Sequence, residues 1–191
     1  MHPKAEIHTT QGERKLDFAL RAFGLDVQAA VCADFGCNVG GFTGCLLRAG
    51  AAKVYAVDTG YGQLAWRLRK DPRVAVMERT NALYCPVPEP VDLVVIDTAW
   101  TPQERIVPAA MAWLRPAGRV VSLLKPHYEV AHATGRKPAA VLAPEQAREV
   151  VRRVCRRLME SGAPLRAVAT SDIRGKGGNE EFFLLLVRMP C

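Results

Sequence analysis

Asp34-Phe35-Gly36-Cys37-Asn38-Val39-Gly40-Gly41-Phe42 follows the apolar run Val31 to Phe35 and opens a segment with helical spacing. An acid is followed two residues on by a glycine, and a glycine pair comes four and five residues after that. The stretch predicts a turn from a buried strand into a helix. Gly36 and Gly40 carry no Cβ and so let a ligand approach the backbone. A pyrophosphate binder calls for Gly-x-Gly-x-x-Gly at the helix start, which this stretch does not have. A ligand carboxylate suits the free N–H groups of a helix start, and a ligand cation suits an acid such as Asp34. The same residues also fit an ordinary tight strand-to-helix turn.

Outward from this turn, strands and helices alternate. Gly12 to Phe23 reads as a helix, with Leu16, Ala19, Leu20 and Phe23 at helical spacing and Gly24 closing it. After the turn, Gly41 to Ala49 is a helix, Lys53 to Val57 a strand tipped by Asp58, Gln63 to Arg69 a short helix, and Val74 to Met77 a strand. Val91 to Ile96 is nearly unbroken apolar sequence, as a central parallel strand needs, and Asp97 ends it. A helix over Pro102 to Leu114 leads to a strand from Arg119 to Leu124, tipped by Lys125. Tyr128 to Ala143 reads as a basic loop and Pro144 to Glu160 as a helix. Leu165 to Ser171 and Glu181 to Arg188 are expected to pair antiparallel at one edge, across the glycine-rich turn 175–178. The expected fold is a doubly wound α/β, Rossmann-like sheet of seven strands, mostly parallel with an antiparallel last strand. Ligands bind at the carboxyl ends of such strands, where Asp34, Asp58, Asp97 and Lys125 fall.

The 191 residues suit a single domain, expected over 12–191 behind a polar tail of residues 1–11. No apolar run reaches membrane-span length, and the N-terminal stretch is polar, so a cytoplasmic location with no membrane partner is expected. Cysteines stand at 32, 37, 45, 85, 155 and 191, none in C-x-x-C spacing; reduced thiols and no metal site are expected. A charge of +7, from 26 basic and 19 acidic residues, favours a polyanionic partner. Arg152, Arg153, Arg156 and Arg157 on one helix, or the loop pair Arg136-Lys137, are the candidate contacts; a solvated helix face explains the first group equally well.

Asp58 lies 22 residues after Gly36, at the tip of the next strand. A carboxylate there can accept both ribose hydroxyls of an adenosine cofactor, or cap a turn. Asn81 can hydrogen-bond an adenine or make a turn. Lys15, Asp97, Lys125 and Glu181 are the remaining candidates for chemistry. A lysine in low dielectric beside a second lysine can serve as a general base. Read singly, they also fit a surface helix residue, a cap, a snorkelling side chain and an edge-strand charge.

From about Gln11 to Arg188 the chain resembles the FtsJ-like ribose methyltransferases, and among them the hemolysin-A type (TlyA). The resemblance rests on Gly36 to Phe42, on Lys53 to Asp58 continuing into Gly60-Tyr61-Gly62-Gln63-Leu64-Ala65-Trp66, and on Arg73 to Asn81. It continues through Val91 to Asp97, Lys125-Pro126-His127-Tyr128-Glu129 and Gly178-Asn179-Glu180-Glu181-Phe182. It implies S-adenosylmethionine as cofactor, bound by Asp34, Gly36, Asn38, Gly40, Gly41, Phe42, Asp58, Asn81 and Asp97. It further implies a catalytic Lys-Asp-Lys-Glu tetrad at Lys15, Asp97, Lys125 and Glu181. The implied reaction is 2′-O-methylation of ribose in RNA, with ribosomal RNA or a ribosomal subunit as partner.

The chain departs from the family pattern in several places. An N-terminal RNA-binding module of the S4 kind is not among the residues before Gln11, which leaves a delivering partner unidentified. Ser-Arg-Gly-Gly before the first lysine becomes Thr10-Gln11-Gly12-Glu13, and Val-Ser-Phe after Asp97 becomes Thr98-Ala99-Trp100. The usually glycine-rich segment after the second lysine is Gly135-Arg136-Lys137-Pro138-Ala139-Ala140. Two rival readings are an RNA- or ribosome-binding protein without catalysis and a methyltransferase for a small-molecule or protein acceptor.

Overall fold

A computed structural model of the chain describes residues 10–135, 141–175 and 177–188. In chain order the elements are α1 (Gln11–Ala22), β1 (Val31–Phe35), α2 (Gly41–Arg48), β2 (Lys53–Val57), α3 (Trp66–Arg69), β3 (Val74–Met77) and β4 (Val91–Ile96). They continue with α4 (Gln103–Trp113), β5 (Leu114–Leu124), α5 (Pro126–Thr134), α6 (Pro144–Glu160), β6 (Leu165–Thr170) and β7 (Phe182–Val187). The seven strands form one sheet in the order β3-β2-β1-β4-β5-β7-β6. Neighbours from β3 to β5 pair parallel, while β7 pairs antiparallel with both β5 and β6. This is the doubly wound, mostly parallel sheet with a reversed last strand that the alternating pattern predicts.

Register explains why distant residues meet. Phe35 is level with Val57 and with Ile96, and Ile96 with Ser122, so β1, β2, β4 and β5 finish along one edge. Because β7 runs the other way, its first residue, Phe182, stands opposite Leu124. Glu181 therefore comes to the same edge as Lys125.

Alternate residues of each strand feed two cores. Ala33, Phe35, Tyr55, Val57 and Ile96 pack with α4 and α6, where the Trp113 ring meets Phe35 edge-on at 5.1 Å and Tyr55 at 6.0 Å. Cys32, Val54, Ala56, Val95 and Leu123 pack with α1 and α2 on the opposite face. The apolar stripe of α6 (Ala147, Val150, Val154, Leu158) is buried, which leaves its arginines outward. Cys32, Cys37, Cys45 and Cys155 are buried free thiols, and Cys85 is half-buried. No described helix is long and apolar enough to cross a membrane.

Three elements differ from the sequence expectation. The stretch from Tyr128 is not a loop: α5 runs from Pro126 to Thr134. Proline fits the first helical position, where its missing N–H is no loss, and Gly135 closes the helix in the left-handed conformation. The expected contacts Arg136-Lys137 lie outside the described residues. β5 begins at Leu114 rather than Arg119, directly after α4, and an irregular register with left-handed Ala117 separates its two parts. The short helix α3 begins at Trp66 rather than Gln63.

Glu13 shows how one departure from the family pattern is accommodated. Thr10 Oγ1 accepts the Glu13 N–H at 3.1 Å, and Glu13 Oε2 accepts the Thr10 N–H at 3.1 Å, a capping box that starts α1. The carboxylate is fully buried and pairs with Arg48 at 3.3 Å and Arg67 at 3.1 Å. A Cβ at Gly44 would lie 2.5 Å from Glu13 Oε1, so glycine is what makes room for it in α2. Paired cations are the condition for burying such a charge, and here they tie α1, α2 and α3 together.

Candidate active site

The turn after β1 is built as the glycine pattern demands, but its glycines serve different ends. Gly36 has φ +83°, and a Cβ there would lie 2.8 Å from the Asp97 carbonyl oxygen. Bare backbone is therefore required where the tips of β1 and β4 approach. Gly40, at φ +96°, faces Leu64 and Leu68, and a Cβ would collide with both side chains. It packs the turn against α3 and lines neither cavity of the site. Gly41 allows close approach of α1, where a Cβ would meet Gly12 Cα at 3.0 Å.

Two cavities open along the carboxyl edge. One, of about 350 Å³, has Asp58, Gln63, Thr80, Asn81 and Ile106 in its wall. The other, of about 620 Å³, holds Lys15, Phe42, Lys125, His127, Tyr128 and Glu181. Gly36, Asn38, Asp97, Ala99 and Trp100 line both, so the two form one cleft with Asp97 at the junction. Asp58 Oδ2 accepts the Asn38 N–H at 2.8 Å, and Oδ1 accepts the Gly60 N–H at 2.7 Å. The carboxylate thus caps the turn, as one of its two sequence readings has it, and also borders the cavity. Asn81 likewise accepts the Leu83 N–H at 3.0 Å through Oδ1 while lining the same cavity.

Asp34 is placed differently from the other acids. It is fully buried beneath the turn and lines neither cavity. Thr43 Oγ1 donates to its Oδ2 at 2.6 Å, and Oδ1 has no partner among the described residues. Burial pushes its carboxyl up to about 7, and the nearby negative charges of Asp97 and Asp58 add to the shift.

The four ionisable candidates meet in the larger cavity as two ion pairs. Lys15 Nζ donates to Glu181 Oε2 at 2.5 Å, and Lys125 Nζ donates to Asp97 Oδ1 at 2.5 Å. The first pair is buried and the second partly exposed. Each lysine therefore faces a carboxylate, and formal charge at the site sums to zero. Gly175 packs against the Glu181 carboxylate so closely that a Cβ there would collide with it. Such an arrangement can orient a hydroxyl and move its proton beside a ligand held in the smaller cavity.

Sequence reasoning missed Trp100, His127 and Tyr128 in the cavity wall. Trp100 is 74% exposed and meets the Tyr128 ring edge-on at 5.4 Å. A tryptophan in a polar stretch after Asp97 was the available signal. His127 and Tyr128 were hidden by the reading of α5 as loop. On the outer face of α6, Arg152 pairs with Glu149 at 2.7 Å and Arg157 with Glu104 at 2.8 Å, so part of the arginine cluster is already neutralised.

Residues 9–188 match the model of the FtsJ-like methyltransferase family. The chain is 41% identical over 181 residues to the 16S/23S rRNA (cytidine-2′-O)-methyltransferase TlyA of Mycobacterium tuberculosis, covering 93% of this chain and 67% of that one. It is 30% identical to hemolysin A of Brachyspira hyodysenteriae, covering 92% and 75%. Among solved structures, the N-methyltransferase NodS of Bradyrhizobium japonicum with S-adenosyl-L-homocysteine superposes with a TM-score of 0.67 over 95% of this chain and 89% of that one. At 16% identity that likeness is one of fold alone. The chain belongs to the FtsJ-like methyltransferase family and is an S-adenosylmethionine-dependent methyltransferase.

Proposed function

We propose that the chain methylates a ribose 2′-hydroxyl in RNA, that ribosomal RNA is the substrate class, and that it works in the cytoplasm. The observation that carries this reading is the pairing of Lys15 with Glu181 and of Lys125 with Asp97 in a cavity continuous with the one that holds Asp58. The rRNA (cytidine-2′-O)-methyltransferase named above supports the choice of acceptor; this chain spans about two thirds of its length.

The residues fit the cofactor. That Asp58 borders the smaller cavity supports a role for it in accepting ribose hydroxyls of an adenosine, and Gly36 leaves bare backbone at the junction of the cavities. When bound, S-adenosylmethionine supplies a methyl group on a cationic sulfur. Lys125 takes or relays the hydroxyl proton, with Asp97 as its immediate partner. Lys15 and Glu181, locked together, line the same cavity and position the acceptor. The main contribution of the site is holding the attacking oxygen in line with the methyl carbon. Domain 12–191 carries all of these groups.

Transfer of labelled methyl to ribosomal RNA and to intact subunits, followed by mapping of the modified ribose, tests the reading. Wild type is expected to label ribosomal RNA at a ribose 2′-position. Lys125→Ala is expected to lose about 10²–10⁴ in rate, the usual worth of positioned acid–base catalysis. Lys125→Arg should restore little, because guanidinium does not deprotonate. Full activity of Lys125→Ala would overturn its assignment, and the absence of RNA labelling by wild type would overturn the acceptor.

A further inference from the structure

His127 belongs to neither ion pair, yet it is buried in the wall of the 620 Å³ cavity beside them. It stands in the first turn of α5, two residues after Lys125. Its ring lies 4.4 Å from that of Tyr128, which in turn meets Trp100. The three rings form a wall from the buried part of the cleft, where His127 is 7% exposed, to its open rim at Trp100. Within this wall His127 Nδ1 is sealed and has no hydrogen-bond partner among the described residues. An unmade buried nitrogen is unfavourable, but a sealed Nδ1 cannot itself meet a ligand; contact with one falls to Nε2, which is not among the sealed, unpartnered atoms. A ring serving only to pack against Tyr128 could be apolar at no loss. Burial, with the charge of Lys125, pushes the imidazole below its usual range. Near pH 7 it is therefore neutral, with one donor and one acceptor nitrogen.

Location separates the two ligands it could serve. His127 lines the cavity of Lys15 and Lys125 and not the cavity of Asp58 and Asn81. We infer that His127 is an acceptor-positioning residue whose Nε2 hydrogen-bonds a hydroxyl or base carbonyl of the nucleotide being methylated. This rests on the RNA reading above. It assigns substrate contact to a side chain outside the tetrad, on the helix that Lys125 caps.

The test compares wild type, His127→Phe and His127→Gln in steady-state methylation of ribosomal RNA, with cofactor affinity measured separately by calorimetry. Phenylalanine keeps the packing on Tyr128 and removes both nitrogens; glutamine keeps a neutral donor and acceptor. His127→Phe is expected to raise KM for RNA roughly tenfold, the worth of about one hydrogen bond, with cofactor affinity unchanged. His127→Gln is expected to stay within about threefold of wild type. Wild-type KM in His127→Phe, equal damage in both variants, or a loss confined to cofactor affinity would each overturn the inference. If His127→Phe fails to fold, His127→Leu takes its place in the same comparison. A wild type that methylates no RNA overturns the acceptor reading and this inference with it. Normal RNA methylation by both wild type and the phenylalanine variant overturns the inference alone.

Discussion

Lys15 and Glu181, separated by 166 positions in the chain, meet at 2.5 Å and are both buried. The contact joins α1 to the residue before β7 and closes one side of the cleft. Removing one member of such a pair strands a buried charge, which typically costs about 3–5 kcal/mol, whereas removing both costs much less. Glu181→Gln alone should therefore destabilise the fold more than the double variant Lys15→Met/Glu181→Gln. Urea unfolding of the two singles and the double gives the coupling energy, expected at about 1 kcal/mol or more. Strictly additive effects would mean that the pair contributes nothing beyond its separate side chains.

Asp58 is expected to hold the cofactor through charge-assisted hydrogen bonds worth about 1.5–3 kcal/mol in total. Asp58→Ala should weaken S-adenosylmethionine binding by roughly ten- to a hundredfold in calorimetry. Because the same carboxylate accepts the Asn38 and Gly60 N–H groups, the variant should also lose some thermal stability. Unchanged affinity would remove Asp58 from the cofactor site.

Asp34 gives the fold a defined pH dependence. Its folded carboxyl titrates near 7, against about 4 in an unfolded chain. Between those values the folded state keeps a proton that the unfolded chain has released, so stability falls as pH rises through that window and then levels off. The full effect is on the order of 4 kcal/mol at most. Glu129, also raised by burial, adds a slope of the same sign, and His127, lowered by burial, one of the opposite sign. Both remain in Asp34→Asn, so the difference between variant and wild type isolates Asp34. Urea midpoints at pH 5, 6, 7 and 8 should fall less steeply in the variant; parallel curves would show that Asp34 does not titrate in this range.

Strand periodicity and the strand-tip acids were legible because both follow from local sequence: alternation or an unbroken apolar run sets the sheet, and a polar residue must end it. β4 and its Asp97 were found in this way with their exact bounds. Local sequence says less about what a glycine or an acid faces. Gly40 and Gly36 look alike in the chain, and only the packing of Leu64 and Leu68 separates their roles. Asp34 and Asp58 both sit at strand ends, yet one is sealed under the turn and the other borders the cleft. α5 is hard to read from the sequence because its apolar residues do not form a clean stripe. The same difficulty concealed His127 and Tyr128, whose place in the wall depends on the helical turn that presents them.

The reversed direction of β7 has a consequence for the order in which the molecule acquires its activity. The strand enters the sheet between β5 and β6, and its first residues complete the cleft beside Lys125. Glu181 is thus supplied by the residue before the last described strand, while its partner Lys15 is supplied by the first described helix. Long-range closures of this kind are slow compared with local helix formation. The residues that line the Asp58 cavity all lie between Gly36 and Ile106, so a growing chain contains every one of them before it contains Glu181, the counter-ion of Lys15. The wall that Lys15 and Glu181 build together is complete only when β7 has entered the sheet beside β5.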